Sequence, residues 1–361
     1  MTRRSCFGLA LAPLATAAPL AAISARSMRL ELVNRWTTVM SSSDFRETLG
    51  VTVVSEGVTG IGEGAPIVRY HESAAQGIKI VRGLEELFAG ADLTRYVKQL
   101  DRVFAKVEGA WATKAAIDIA LHDWAAKKLG VPVWKMWGLD AGDAPVTTFS
   151  IGIDTAEVIR RKVREAAAYP VLKIKVGLSN DEEVMEAVRG ETKKPLRVDA
   201  NEGWKTVDEA VRKIKWLEKQ GVELIEQPLP ATMLSEIGEI RKRVEMPIFA
   251  DECCLHPEDI PRIAPYFDGV NVKVDKAGGL HQAMRMIEMA RALKLKVMVG
   301  CMVSSSLAIT AAAQLSPLID YADLDGNLLI RNDPYDGVKV VNGKLVLPVR
   351  PGVGVVERRA R

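Results

Sequence analysis

The sequence predicts an α/β protein: a closed barrel of parallel strands and helices, preceded by a smaller α+β unit. After Ala144, short apolar stretches alternate with helical patterns. Eight of them read as strands: "VTTFSIGI", "VLKIKVG", "PLRVDANEG", "ELIEQPLP", "MPIFADECC", "GVNVKVDKAGG", "KVMVGCM" and "YADLDGN". That succession suits a (β/α) barrel. Stretches between them, such as "TVDEAVRKIKWLEKQG" and "GLHQAMRMIEMARALKLK", repeat apolar residues at helical spacing. Polar residues gather at the C-terminal ends of strand after strand, where barrel sites are built. The competing open doubly wound sheet needs a glycine-rich phosphate loop after its first strand, and the sequence has none.

Each earlier segment follows from its own residues. Thr2-Arg3-Arg4 precedes an uncharged, alanine-rich run from Ser5 to Ala25. A basic start, an apolar middle and a small-residue end describe an export signal over residues 1–25, with a mature N-terminus near Arg26. The paired arginines point toward the twin-arginine type, with Phe7 one place late. The expected location is periplasmic or exported, and cytoplasmic if the segment is not a signal. No later stretch is long and apolar enough to span a bilayer. Residues 26–145 read as the α+β unit. "LGVTVVSEGVTGIGEGAP" is strand, glycine turn, strand, and Glu72 to Leu129 turns helical with Gly130 as a C-cap. The barrel covers 146–330, leaving 331–361 as a C-terminal segment.

Composition excludes several function classes. The 361 residues carry 49 basic and 46 acidic side chains, a net charge of +3, with no basic block or aromatic stripe for nucleic acid. Cys6 lies in the signal; Cys253, Cys254 and Cys301 give no disulfide framework and no C-x-x-C spacing. They read as buried small residues. Four scattered histidines suggest no His-rich metal site. A small-molecule partner remains, without nucleic acid or membrane once the signal is removed; a homo-oligomer is compatible with the sequence.

The chemistry lies at the strand ends. Lys173 and Lys175 end the second strand, alternating with Leu172, Ile174 and Val176. Two lysines on one face are ordinary if that face is wet and costly if it lines a closed barrel. Asp199 and Asn201 end the third strand, Glu226 the fourth, Asp251 and Glu252 the fifth, Lys273 the sixth, Asp323 and Asp325 the eighth. Asp199, Glu226 and Asp251 come from successive strands and can converge on one hard cation. Oxygen ligands without His or thiol favour Mg²⁺. Lys175 and Lys273 would then approach a metal-bound substrate from opposite sides, a layout suited to proton abstraction next to a carboxylate. Lys173, on the same face as Lys175, is expected to lower its pKa through like charge.

These residues resemble the enolase superfamily in its muconate-lactonising-enzyme subgroup. The matching stretches are "KIK", "DAN", "EQP", "DE", "VNVKVDKAGG" and the helix "AAIDIALHDWAAKKLGVPVWKMWG". "DECC" departs from the commoner D-E-S only after the ligand pair. The resemblance implies a modified (β/α)7β barrel with an α+β capping domain to which the C-terminal segment returns, and Mg²⁺ as cofactor. "DLDGNLL" is similar to the Asp-x-Asp of dipeptide epimerases, where Asp323 and Asp325 would bind the substrate α-ammonium. Charge pairing agrees, because cycloisomerase and o-succinylbenzoate substrates lack an ammonium and would leave both carboxylates unpaired. "GCMVSSSL" also resembles this group, which implies that Cys301, Met302, Ser304 and Ser306 bind the substrate and that Ser304 to Ser306 shape the pocket for the N-terminal residue. The C-terminal residue would be epimerised beside a mobile cap loop, Thr37 to Thr48. An L-Ala-D/L-Glu enzyme wants a cation there, and Arg46 is the only one within the loop, although Ser41 falls closer to the usual arginine position. The expectation is a Mg²⁺-dependent dipeptide epimerase. The alternatives are an N-acylamino-acid racemase, o-succinylbenzoate synthase or cycloisomerase of the same subgroup, or an exported binding protein without catalysis.

Overall fold

The computed structural model describes residues 21–39 and 42–358. Its first sheet is an antiparallel meander of β1 (Ala22–Thr37), β2 (Ser42–Ser55) and β3 (Val58–Gly64). Glu56 and Gly57 turn the chain between β2 and β3 at positive φ, the conformation that a two-residue hairpin demands. Helices α1 (Ala74–Arg82), α2 (Glu85–Phe88), α3 (Tyr96–Lys106) and α4 (Trp111–Leu129) follow. α4 ends at Gly130 with φ 72°, the left-handed cap that glycine adopts without steric cost. From Ala112 to Ala126 α4 is buried all round, because it lies between the sheet and the barrel. A Cβ on Gly60, Gly62 or Gly64 would collide with the carbonyl oxygens of Ala120, Ala116 and Ala112. These alternate glycines therefore let β3 lie flat on α4, and Ile61 and Glu63 point to its other face.

Two expectations about this domain need correction. The domain starts before Arg26: Ala22 to Ala25 lie in β1 opposite Val54 to Val51, and Ile23 is buried with Leu49, Val51 and Val53. An alanine-rich run reads equally as the end of a signal or the start of a strand, and only the pairing partner separates the two. Residues 1–20, which carry most of the expected signal, lie outside the described residues. The stretch taken as a mobile loop is mostly strand, since Thr37 pairs with Ser42, Trp36 with Ser43 and Leu30 with Arg46. Met40 and Ser41 lie outside the described residues.

After α5 (Val133–Met136), eight parallel strands pair in chain order: β4 (Phe149–Ile151), β5 (Leu172–Lys175), β6 (Leu196–Asp199), β7 (Val222–Glu226), β8 (Ile248–Ala250), β9 (Gly269–Lys273), β10 (Lys296–Gly300) and β11 (Tyr321–Asp323). The crossovers carry α6 (Ala156–Glu165), α7 (Asp181–Glu191), α8 (Val207–Lys219), α9 (Leu234–Arg241), α10 (Asp259–Ile263), α11 (Val274–Ala277) with α12 (Leu280–Ala292), and α13 (Ser306–Ala313). Thr147 bridges to Ala322, and the Leu324 N–H donates to Thr147 Oγ1 at 2.8 Å, closing the ring between its first and last strands. This is the (β/α)7β barrel.

Leu172 and Ile174 of β5, and Val176 just after it, pack outward with Val184 and Val188 of α7 in the main core. Lys173 and Lys175 therefore point into the barrel. Leu224, Phe249 and Met298, with Tyr321, form a separate apolar layer inside it. Two residues further along the same strands, Glu226, Asp251, Gly300 and Asp323 reach the mouth, as the period of a strand requires. Beyond β11 the chain runs back along β1, where the Arg331 N–H donates to the Glu31 carbonyl at 2.9 Å and Asn332 Oδ1 accepts the Glu31 N–H at 2.7 Å. Among the described residues no helix is long and apolar enough to cross a membrane.

Candidate active site

Strand register sets Lys175, Asp199 and Glu226 side by side across β5, β6 and β7. Asp251 follows β8 directly, and oxygens of Asp199, Glu226 and Asp251, all buried, lie within 4.8 Å of one another. Such a group of carboxylates is costly by itself: burial and the Asp199 charge push Glu226 up to about 7. Lysines compensate from both sides. Lys175 Nζ donates to Asp199 at 2.6 Å, and Lys173 Nζ donates to Glu226 at 2.8 Å and lies 3.1 Å from Asp199. Across the mouth, Lys273 Nζ donates to Asp251 at 2.8 Å. The donor set is all oxygen and strongly negative, which fits a hard divalent cation such as Mg²⁺.

The backbone is bent to serve these groups. Asn201 and Gln227 hold left-handed φ values of 42° and 38°, a strain of about 1–3 kcal/mol for such a residue. In that conformation the Asn201 N–H donates to Asp199 Oδ1 at 2.9 Å, and Gln227 Oε1 accepts the Asp251 N–H at 3.0 Å. Asn271 Nδ2 donates to Glu226 Oε1 at 2.7 Å. Each candidate metal ligand is thus held by a neutral partner as well as by the lysines.

Asp323 ends β11 and Asp325 lies two residues beyond it; both are buried but differ in their surroundings. Asp323 accepts from Lys173 Nζ at 2.7 Å and from Thr148 Oγ1 at 2.5 Å. Burial works to raise its carboxyl, but the Lys173 ammonium overrides this and holds it at about 2. Asp325 accepts the Ser150 N–H at 2.6 Å, and burial together with the Asp323 charge pushes it up to about 6. Of the two expected ammonium acceptors, Asp323 is already paired with the Lys173 ammonium, whereas Asp325 accepts from a backbone N–H. The Lys173 charge is met by Asp199, Glu226 and Asp323, so it acts within a carboxylate network and not as an isolated like charge beside Lys175.

The other expected residues are placed unevenly. Asn201 Nδ2 donates to Glu252 Oε1 at 3.1 Å, and burial with the Asp251 charge pushes Glu252 up to about 8. Cys301 and Met302 are partly exposed at the end of β10. Ser304 and Ser306 are buried, with hydroxyls donating to the Met302 carbonyl at 2.8 Å and to Asp333 at 2.6 Å. They support the segment from behind instead of offering free hydroxyls. Arg46 is half-buried in β2 and donates to the Phe45 carbonyl at 3.1 Å; burial lowers its pKa. It is not joined by hydrogen bond to the carboxylate cluster.

Several residues escaped the sequence reading. Lys276 donates to the Asp251 carbonyl at 2.6 Å and also to the Asp251 carboxylate. It lies in the quoted "VNVKVDKAGG", in the short helix that starts directly after Lys273. Thr148 and Asn271 sit at inward positions of quoted strands. Arg69 brings the small domain to the mouth by an ion pair with Glu202 at 2.6 Å, which no local pattern indicated.

Comparison with known proteins agrees with this geometry. Residues 29–138 match the N-terminal domain of mandelate racemase / muconate lactonizing enzymes, and residues 154–360 match the enolase C-terminal domain-like family. An L-Ala-D/L-Glu epimerase of Bacteroides thetaiotaomicron is 41% identical over 331 residues, 91% of this chain and 86% of that protein. An L-Ala-D/L-amino acid epimerase of Pedosphaera parvula is 40% identical over 334 residues, 89% of this chain and 94% of that protein. The structure of a dipeptide epimerase from Enterococcus faecalis, complexed with Mg and L-Leu-L-Tyr, superposes with a TM-score of 0.87 at 28% identity, covering 93% of this chain and 99% of that one.

Proposed function

The chain belongs to the mandelate racemase / muconate lactonizing enzyme family, with its enolase-like barrel, and from that premise we propose that it is a Mg²⁺-dependent dipeptide epimerase. The reading is carried by one observation: Lys175 and Lys273 flank the Asp199–Glu226–Asp251 cluster from opposite strands, with two further carboxylates, Asp323 at the end of β11 and Asp325 just beyond it. Asp199, Glu226 and Asp251 would hold the cation, which when bound would supply an electrophile for the negative charge that proton removal places on the substrate carboxylate.

The protein's own groups do the rest. Lys175 on one face and Lys273 on the other exchange roles: the neutral amine takes the α-proton of the C-terminal residue and keeps it, and the opposite ammonium delivers its own, solvent-derived proton to the other face. Lys173 ties this base pair to Asp323, and Asp325 accepts the α-ammonium. An acidic C-terminal side chain would need a cation, and Arg46 is the candidate. It shares a face of the β1–β2 hairpin with Leu30, which packs against Ile330 and Val303.

The experiment is a dipeptide library incubated with enzyme and Mg²⁺ in D₂O, with a chelated control, read as one-dalton mass gains and stereochemical inversion. Gains confined to free dipeptides and abolished by chelation are expected. Exchange confined to N-acylated amino acids would replace the proposal with a racemase, and full turnover after exhaustive chelation would remove the metal from it.

A further inference from the structure

The segment 301–305 between β10 and α13 packs against the turn after Asp325, which makes it one wall of the site in the epimerase reading, and what holds it comes from the other domain. Glu63, near the end of β3, is fully buried. Its Oε1 accepts the Ser305 N–H at 3.1 Å, and its Oε2 accepts the Ser305 hydroxyl and the Ala308 N–H, the latter at 3.3 Å. Ser305 is the N-cap of α13, and its Oγ accepts the Leu307 N–H at 3.1 Å. Asp333 takes the remaining first-turn amide, that of Ser306, at 3.1 Å. A carboxylate removed from water is tolerated where helix N–H groups replace its hydration and the helix dipole favours its charge. Burial raises Glu63's pKa, and the Ser305 and Ala308 bonds oppose that rise. Two residues on, the Ala65 N–H donates at 2.7 Å to Asp275 in α11, just after Lys273. The end of β3 therefore grips the loops after the sixth and seventh barrel strands together.

The gripped segment borders the ammonium end of the cavity. Asn327 Nδ2 donates to Ser306 Oγ at 3.0 Å, and a Cβ on Gly326 would strike the Met302 carbonyl and crowd Cys301. The wall and the turn after Asp325 are thus packed without slack. A dipeptide anchored by its ammonium at Asp325 would lay its N-terminal side chain against this wall. The space left for that side chain depends on where Glu63 holds residues 301–306.

We propose that Glu63 is a positioning residue that sets the enzyme's selectivity for the N-terminal residue of the dipeptide. The inference rests on the epimerase reading above and deepens it. Glu63 touches no substrate; it acts through Ser305 and the first turn of α13.

The test uses the full Mg²⁺-loaded enzyme with Glu63→Leu, which loses every acceptor, and Glu63→Gln, which keeps one carbonyl oxygen. kcat/KM is compared for dipeptides that differ only in a small or bulky N-terminal residue, and for dipeptides that differ only in the C-terminal residue. In Glu63→Leu the N-terminal selectivity ratio should shift by about tenfold or more, the scale on which one pocket wall discriminates side chains, while the C-terminal ratio barely moves. Glu63→Gln should fall between wild type and Glu63→Leu. Hydrogen exchange at residues 305–308 should accelerate by about tenfold as the local hold weakens, with Mg²⁺ affinity unchanged by calorimetry. Equal movement of both ratios, or unaltered exchange in a folded variant, overturns the proposal. A wild type that epimerises no dipeptide overturns the epimerase reading and the selectivity role with it, whereas the exchange result still reports whether Glu63 holds the segment.

Discussion

Asp325→Asn should separate ammonium binding from proton transfer. The substitution is isosteric, and its amide oxygen can keep the Ser150 N–H bond at 2.6 Å. What it removes is the charge opposite the substrate ammonium, at a residue only 4% exposed, where water cannot take over. Truncating one side of a buried, hydrogen-bonded charge pair costs about 2–5 kcal/mol. That corresponds to a fall of about 30- to 5,000-fold in kcat/KM. N-acetylating the substrate removes the same interaction, so Asp325→Asn should hardly affect the acetylated dipeptide. Asp323→Asn should behave differently. It takes away the carboxylate 2.7 Å from Lys173, disturbing the lysine pair, and should lower kcat for free and acetylated substrates alike. The assay is kcat/KM for both substrates across wild type and both variants, with Mg²⁺ affinity by calorimetry as the control. If Asp325→Asn penalised both substrates equally, or if the wild type used the acetylated dipeptide as well as the free one, the ammonium assignment would fail.

Other expectations follow from the same structure. Lys175→Ala and Lys273→Ala should each abolish epimerisation and should lose α-hydrogen exchange with solvent from opposite epimers; wild-type epimerisation by either would refute the two-base reading. Asp275 is pushed up to about 7, mainly by burial, against about 3.9 unfolded. Its folded state binds the extra proton, so stability is lost as pH rises from about 4 to 7. Asp275→Asn, which can still accept the Ala65 N–H, should therefore raise the Tm above pH 7, by up to about 4 kcal/mol in stability, and leave it unchanged below pH 4; parallel Tm–pH curves would argue otherwise. A chain beginning at Arg26 loses the β1 residues opposite Val51 to Val54 and the buried Ile23. Its urea midpoint should drop, by about 2–5 kcal/mol for the isoleucine alone, relative to a chain beginning at Pro19. Equal midpoints would show that those residues contribute nothing to the fold.

The sequence by itself determined what is periodic or local. The alternation of strand and helix after Ala144 was readable because apolar spacing changes with the element. The K-x-K of Lys173 and Lys175 had to share a face because a strand repeats every two residues. The order of acidic strand ends was enough to group Asp199, Glu226 and Asp251, since consecutive parallel strands are neighbours. What no local pattern carries is the identity of a partner far along the chain. Asp323 and Asp325 lie on the same strand face in sequence, yet only Asp323 meets Lys173, 150 positions away, across the closed ring. Whether Ala22 to Ala25 end a signal or begin a strand depends on β2, and Glu63 reads as one polar residue among glycines until Ser305, 242 positions on, folds against it. Closure of the barrel and docking of the small domain bring these pairs together. Charge compensation in a buried site is a property of such tertiary pairs, so composition and spacing could nominate the charged residues but not say which of them satisfy one another.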